Sequence, residues 1–481
     1  MNTRTKTAAL CLLTACSISC RTKPTPDKEA PPGVAREILA IAPTASAAAA
    51  NMIPTLTQEE VKPKEGQPSH LYAVEGAIMA AVENRVGRLV DDHIEWVGQI
   101  PKESPGLGDN VLSSVHGRWP DTIAAIYTSG NGRAPQPTYY PLTAKAGSYR
   151  VADGGGIGWI NGVARVGETT ILSTFSELYN VALVPARGPK IVRAPQTAKQ
   201  AGCKDGEIWK GNFKELAAVR PGAFESTPEG TLVSIGNLCE VRDPAAEVWD
   251  KSGTSRIIDL GRWWKKVLLQ ANLFTLLKGS GDDLFAFKNR WSPVLHYKNG
   301  TFEPVPDLLR PIQNIFVSPR GQLHAHDGQA IHRYEGGKWI PLGRLAEPFE
   351  SRNMVMDDKG TIWAVSSGLH KFREGPGAPF EDTCPNHFVY LYEVSSKNAP
   401  DFTFPSTQKA LSSFPEASQL GLVEFKDGSN RHLGITAESR AQAEAVIAHL
   451  KATMKDEDPR MYCFAPKDPR KIALLPSART P

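Results

Sequence analysis

Apolar and polar positions alternate in short runs along most of this chain, and Gly, Asn, Asp or Pro punctuates the runs. Alternation with period two puts every second side chain on one face, so the runs read as half-buried strands and the punctuation as turns. The pattern begins near Leu71 and continues beyond Phe372 without a long helical stretch. Its clearest copy is Asp357-Asp358-Lys359-Gly360-Thr361-Ile362-Trp363-Ala364-Val365, followed by Gly368-Leu369-His370-Lys371-Phe372: turn, strand, turn, strand. A second copy lies upstream in Ser318-Pro319-Arg320-Gly321-Gln322-Leu323-His324-Ala325 and Ala330-Ile331-His332-Arg333-Tyr334.

Comparing the chain with itself sets the period. An aliphatic residue just past a Gly or Asp turn recurs at Leu232, Leu284, Leu323 and Ile362, spaced by 52, 39 and 39 residues. An aromatic follows each, at Trp249, Tyr297, Tyr334 and Phe372, and another follows the next turn at Phe302 and Trp339. About forty residues hold three or four short strands, the size of one propeller blade, whose faces are buried only when blades pack in a ring. Residues 67–378 divide into seven units of about 45 residues, with six as the alternative, because the units at 71–101, 121–140 and 158–184 have soft boundaries. After Phe372 the last unit runs into Arg-Glu-Gly-Pro-Gly-Ala-Pro and has no outer strand of its own. A strand borrowed from residues 50–70 would complete it and leave no open edge.

The Asp-x-x-Gly-x-Ile-Trp and Gly-Leu-x-x-Phe marks of 357–372 resemble the propeller repeats in periplasmic sensor halves of hybrid two-component regulators. The resemblance implies the fold. In that family a membrane helix and a kinase follow; this sequence shows neither, so no kinase role is carried over.

Past Pro385 the texture changes. Strands are expected at 388–394, 420–425, 431–435 and 461–464, with helices at 405–414 and 437–454. Thr436 is the expected N-cap of the second helix, whose Ala443, Val446, Ile447, Leu450 and Met454 share one face. The order β-α-β-β-α-β is that of a ferredoxin-like split unit, in which the first and last strands are antiparallel neighbours. Residues 434–450 also resemble the second half of peptidoglycan-binding SPOR domains, which implies attachment to the cell wall.

The expected fold class is therefore mainly β: a seven-bladed (alternatively six-bladed) β-propeller followed by a small α+β ferredoxin-like domain. The expected divisions are a signal peptide (1–20), a Pro/Ala-rich tether (21–66), the propeller (67–380), the small domain (381–466) and a flexible tail (467–481). Apolar content of 41% and charged content of 22% are those of an ordinary globular protein. The net charge of +4 is scattered with no basic stripe, which argues against nucleic acid as a partner.

Arg4, Lys6 and the short apolar run 7–15 form the charged and hydrophobic parts of an export signal. Leu13-Thr14-Ala15-Cys16 resembles a bacterial lipobox, with Cys16 as the lipidated residue. Cys20 fits less well, since Ser17 stands where an aliphatic residue is wanted, and an ordinary cleaved signal is the alternative. By resemblance to enteric lipoproteins, Ser17 after Cys16 implies the outer membrane. No other stretch approaches the roughly 20 apolar residues that span a bilayer. The expectation is a monomer at the envelope, outer membrane or periplasm, that meets the membrane only through a lipid anchor. A secreted protein is the alternative.

Four cysteines remain in the body, Cys203, Cys239, Cys384 and Cys463. None forms C-x-x-C, which argues against a zinc or thioredoxin-like site, and an even number in an oxidising compartment suggests two disulfides. Three pairings are possible. The domain order prefers Cys203–Cys239 and Cys384–Cys463, the second because it would join the first and last strands of the small domain.

Candidate chemistry is sparse. His324 and His326 are two apart on an expected strand and could project to one metal ion. His332 and His370 occupy equivalent places in consecutive units, which points to packing instead. Arg262-Trp263-Trp264 places two indoles beside a cation: one could pack while the other stacks on a sugar or a partner side chain with help from Arg262. The glycines of 153–159 lack the G-x-G-x-x-G order and a following helix, so they read as a turn. No nucleophile elbow or H-E-x-x-H motif is present, no catalytic residue is nominated and no cofactor is expected. The functional expectation is a scaffold binding a protein or glycan at the envelope. The alternatives are a lyase- or hydrolase-type propeller enzyme with its site at the central channel, and cell-wall binding through the C-terminal domain.

Overall fold

The computed structural model describes residues 52–100, 103–104, 108–129, 137–143, 160–166, 169–174, 178–181, 190–193, 201–203, 219–227, 229–239, 244–250, 254–264, 274–351, 353–379, 384–394, 405–415, 417, 420–427, 430–454 and 459–472. Six successive antiparallel four-stranded sheets span 70–99 (I), 103–143 (II), 160–193 (III), 219–259 (IV), 275–304 (V) and 314–345 (VI). Sheet VII has three strands in sequence, Asn353–Met356, Ile362–Val365 and Leu369–Pro379. Its fourth strand is Met52–Val61, paired antiparallel with Leu369–Pro379 from Met52↔Pro379 to Val61↔Leu369. The borrowed strand expected from 50–70 is thus Met52–Val61. It also pairs in parallel with sheet VI at Thr55↔Arg344 and Leu56↔Leu345, which fuses VI and VII into one eight-stranded sheet.

The first strands of the sheets, and in sheet II the second strand Gly108–Arg118, pack beside one another in chain order. His70–Val74 lies against Gly108–Arg118, then follow Ile160–Val166, Val219–Ser226, Thr275–Lys278, Asn314–Val317 and Asn353–Met356, and the last returns to His70–Val74. This closed order is propeller-like, and among the described residues sheets I, IV, V, VI and VII each bury apolar side chains against both neighbours. Between VII and I, Val355, Trp363 and Leu369 meet Leu71, Ile78 and Leu89. Between VI and VII, Leu56 joins Phe316, Ile331, Leu345 and Phe372.

The repeat marks have a common geometric cause. Leu232, Leu284, Leu323 and Ile362 each open the second strand of a sheet. Leu232↔Trp249, Leu284↔Tyr297 and Ile362↔Phe372 are cross-strand partners, and Tyr297↔Phe302 and Tyr334↔Trp339 extend the row to the outer strand. Directly opposed side chains are the unit of sheet stabilisation, so the marks travel together. Ahead of the second strand, Asp357 accepts from the backbone N–H of Lys359 (3.0 Å) and Thr361 (2.8 Å) and from the Trp363 indole (3.0 Å). Gly360 adopts the left-handed conformation (φ 85°) that this turn requires, as Gly321 does in sheet VI (φ 78°).

Ring and small domain belong to one compact unit, residues 50–481. The small domain runs His387–Val394, helix α1 (Pro405–Ser412), Gly421–Asp427, Asn430–Ala437, helix α2 (Arg440–Thr453) and Arg460–Cys463. In the sheet, Arg460–Cys463 borders His387–Val394, then come Asn430–Ala437 and Gly421–Asp427, all antiparallel. Both helices cover one face: Leu411, Ala443, Val446 and Leu450 pack on Val389, Leu422, Leu433 and Ile435. Two details differ from expectation. Helix α2 starts at Arg440 because Thr436 and Ala437 stay in the sheet, opposite Phe388 and His387, and Ser439 caps it by accepting from Gln442 N–H (3.2 Å). Arg470–Lys471 adds an edge strand against Val423 and Glu424, which carries the sheet past residue 466.

Disulfides join Cys203 to Cys239 and Cys384 to Cys463, with Cα–Cα separations of 5.5 and 5.2 Å. Among the described residues no helix is long and apolar enough to cross a membrane.

Candidate functional site: the connector face of the ring

In an antiparallel meander, the hairpin between strands two and three and the connector to the next sheet leave from the same end. That end, the connector face, collects most of the side chains nominated from sequence. The turn of 357–360 lies at the opposite end.

Arg262, Trp263 and Trp264 follow the outer strand of sheet IV, Ser255–Asp259, in the connector to sheet V. They occupy a turn rather than a strand, with Trp263 and Trp264 N–H both donating to Leu260 O (3.0 and 2.9 Å). Trp264 is 0% exposed, lies 5.6 Å from Phe274 and donates its indole N–H to Pro293 O (2.9 Å). Trp263 is half-buried, and the exposed Arg262 guanidinium lies 3.6 Å over its ring. One indole anchors the turn in the core, and the other is held at the surface beside a cation.

Pro293 belongs to the sheet V hairpin, whose Trp291 is the main contact with the small domain. Trp291 enters the sheet face opposite the helices. It stacks on Tyr390 (4.9 Å, 12°) and meets Phe425, Tyr462 and Phe464 edge-on at 5.5, 5.6 and 4.9 Å. Its indole N–H donates to Asp427 Oδ2 (2.8 Å), and Arg290 forms an ion pair with the same carboxylate. Around this seat, Arg460 Nη1 donates to Asp307 Oδ1 (2.6 Å) and Cys463 N–H to Leu309 O (2.7 Å). Burial pushes His432, beside Trp291, down to about 4. Sequence reasoning missed Trp291. It falls outside the forty-residue frame, and its only signal was a Trp beside Arg290 in a turn.

His324 and His326 share one side of the strand Leu323–His326, and each ring has its own aromatic neighbour. His324 stacks on Phe316 (5.1 Å, 12°) and its Nδ1 lies 2.9 Å from Gln322 O. His326 is fully buried near Phe349, with neither ring nitrogen hydrogen-bonded. Burial pushes both down to about 4. Asp327 accepts from Gln329 and Ala330 N–H (2.9 and 2.8 Å) and lies 3.1 Å from His332 Nε2. Burial opposes its ionisation, but these bonds and the His332 charge hold its pKa below the usual carboxylate value. In sheet VII the same place holds Ser366, with Oγ 3.0 Å from His370 Nε2. Both pairs close the second hairpin of their sheet. Among the described residues no group of three or more His, Cys, Asp or Glu is placed to hold a metal.

Asn314 and Asn353 were also missed. At the connector end of their strands, Asn314 donates to Ser351 O and Oγ (3.0 and 2.8 Å), and Asn353 exchanges hydrogen bonds with the Leu71 backbone. They are 39 residues apart, in step with Leu323 and Ile362, so the signal was present. Cys16 and residues 153–159 lie outside the described residues.

No protein-family model matches the chain, and no curated protein matches its sequence. Among solved structures it is similar to a streptogramin B lyase (TM-score 0.42, 12% identity, 66% of this chain and 98% of that one). It is similar also to virginiamycin B lyase from Staphylococcus aureus (0.39, 12%, 66% and 98%). A third is the extracellular domain of BT3049, described as a hybrid two-component system, from B. thetaiotaomicron (0.40, 10%, 73% and 45%). At these scores and identities the likenesses carry no argument about activity.

Proposed function

We propose that this chain is an exported scaffold, lipid-anchored through Cys16 at the cell envelope, that binds a glycan or protein on the connector face of a seven-bladed propeller. Seven sheets in closed order, the last completed by Met52–Val61, support seven blades over six. The strand order of the small domain, with both helices on one face, supports the ferredoxin-like assignment. Two disulfides favour an oxidising compartment.

The observation that carries the binding reading is Arg262 over Trp263, fixed from below by the buried Trp264. An indole held beside a guanidinium suits the C–H face of a sugar ring, and the guanidinium suits a carboxylate on it, so an acidic glycan is the favoured ligand. The enzyme alternative draws on Ser366 and His370, but their equivalence to Asp327 and His332 supports a hairpin-fastening role. Wall attachment through the small domain would have to avoid the sheet face that Trp291 fills.

The test is co-sedimentation with peptidoglycan and titration with soluble acidic polysaccharides. Binding is expected to weaken about tenfold in Trp263→Ala, the loss of one stacking and cation–π contact. Unchanged binding by that variant, or no binding by the wild type, sinks the reading.

A further inference from the structure

The two disulfides sit in different environments. Cys203 and Cys239 are buried, at 4% and 1% exposure, whereas Cys384 and Cys463 are both partly exposed. Cys463 ends the strand Arg460–Cys463, which lies at the border of the small sheet and, among the described residues, pairs within it only with residues 387–390. The same short strand and the residue after it make much of the contact with the ring. Arg460 reaches Asp307, Tyr462 and Phe464 pack on Trp291, and Cys463 N–H bonds Leu309 O. Cys384 stands just ahead of His387–Val394, where the chain enters the small domain from sheet VII. One accessible covalent bond therefore ties the entry of the domain to the strand that grips the ring.

We infer that Cys384–Cys463 is a redox-controlled fastening: a dithiol reductant opens it, which loosens Arg460–Cys463 and unseats Trp291, while Cys203–Cys239 stays closed. A thiolate of the dithiol attacks one sulfur of the pair, breaking the S–S bond and forming a mixed disulfide. Its second thiol then displaces the remaining protein thiol. Two electrons and two protons pass to Cys384 and Cys463, and the dithiol leaves as its own disulfide. Access to the sulfur limits such exchange, so the partly exposed bond reacts first. Loosening the strand removes two edge-on aromatic neighbours, Tyr462 and Phe464, from the Trp291 indole.

The experiment treats the full chain with graded dithiothreitol, alkylates the freed thiols and maps them by mass spectrometry, with hydrogen exchange followed in parallel. Cys384 and Cys463 are expected to alkylate at least tenfold faster than Cys203 and Cys239, with exchange rising at 288–294 and 460–464 and unchanged in sheet I. Equal reactivity of the two disulfides overturns the inference, as does opening of Cys384–Cys463 without faster exchange at 288–294. The Cys384→Ser, Cys463→Ser chain gives a reductant-free check: exchange at 288–294 should match the reduced wild type, and oxidised-like protection there contradicts the proposal.

Discussion

Leu56 and Gly343 meet where the N-terminal strand crosses from sheet VII to sheet VI: a Cβ on Gly343 would lie 2.5 Å from Leu56 Cγ. Leu56 is 5% exposed and packs with Phe316, Leu345 and Phe372, so the space left by one glycine lets the strand Met52–Val61 lock two sheets together. Gly343→Ala should cost about 1–3 kcal/mol by overpacking, and Leu56→Ala about 2–4 kcal/mol by opening a cavity. The double variant should cost less than their sum, because the added methyl enters the vacated space. Chemical denaturation of the three variants measures this, and strict additivity would show that the two residues are not in contact.

A second fastening closes sheet VII onto sheet I. The Lys371 ammonium is buried 2.6 and 2.7 Å from the two oxygens of Asp92 and 3.5 Å from Glu59 of the N-terminal strand. Both carboxylates are substantially exposed, so losing either alone should cost about 1 kcal/mol or less. Asp92→Ala with Glu59→Ala strands a buried cation and should cost about 2–3 kcal/mol. Lys371→Met should rescue much of that loss when added to the double variant. A triple variant no more stable than the double one would show that Lys371 needs neither partner.

Acid should weaken the fold over a defined window. Burial holds His324, His326 and His432 near 4, against the ordinary 6.5. Between those values the unfolded chain binds more protons than the folded one, so stability falls as pH drops from about 6.5 to about 4 and does not depend on these groups above that. The loss is on the order of 1–3 kcal/mol per histidine. Unfolding midpoints at pH 7 and pH 5 measure it, and His326→Leu should flatten the slope. An unchanged slope in that variant would mean that His326 takes up its proton without resistance from the fold.

The export reading makes its own prediction. Cys16→Ser should move the protein from the membrane to the soluble envelope fraction. Retention of the variant in the membrane fraction would remove Cys16 from the account.

Much of the ring was legible because its repeat marks obey local rules. Gly360 is dictated by a left-handed turn, and Ile362 and Phe372 by a shared row across two strands, and these marks recur through sheets IV to VII. The Cys384–Cys463 pairing was legible for the same kind of reason, since strand order alone brings the first and last strands together. The seat of Trp291 was not legible. It joins residues 291 and 427 across separate modules, and nothing periodic announces which hairpin of the ring will meet which sheet face. The metal reading of His324 and His326 rested on their side of the strand, which the structure retains. What that spacing could not show is that Phe316 and Phe349 would fill the space beside the two imidazoles.

The most direct test of binding on the connector face is a hydrogen-exchange footprint of the full chain with and without a saturating acidic polysaccharide. Protection is predicted at 255–264 and in the adjoining hairpin 288–294, and the polysaccharide concentration that produces it should rise about tenfold in Trp263→Ala. Protection confined to 326–332 and 366–370, or to the helices of the small domain, would contradict the account.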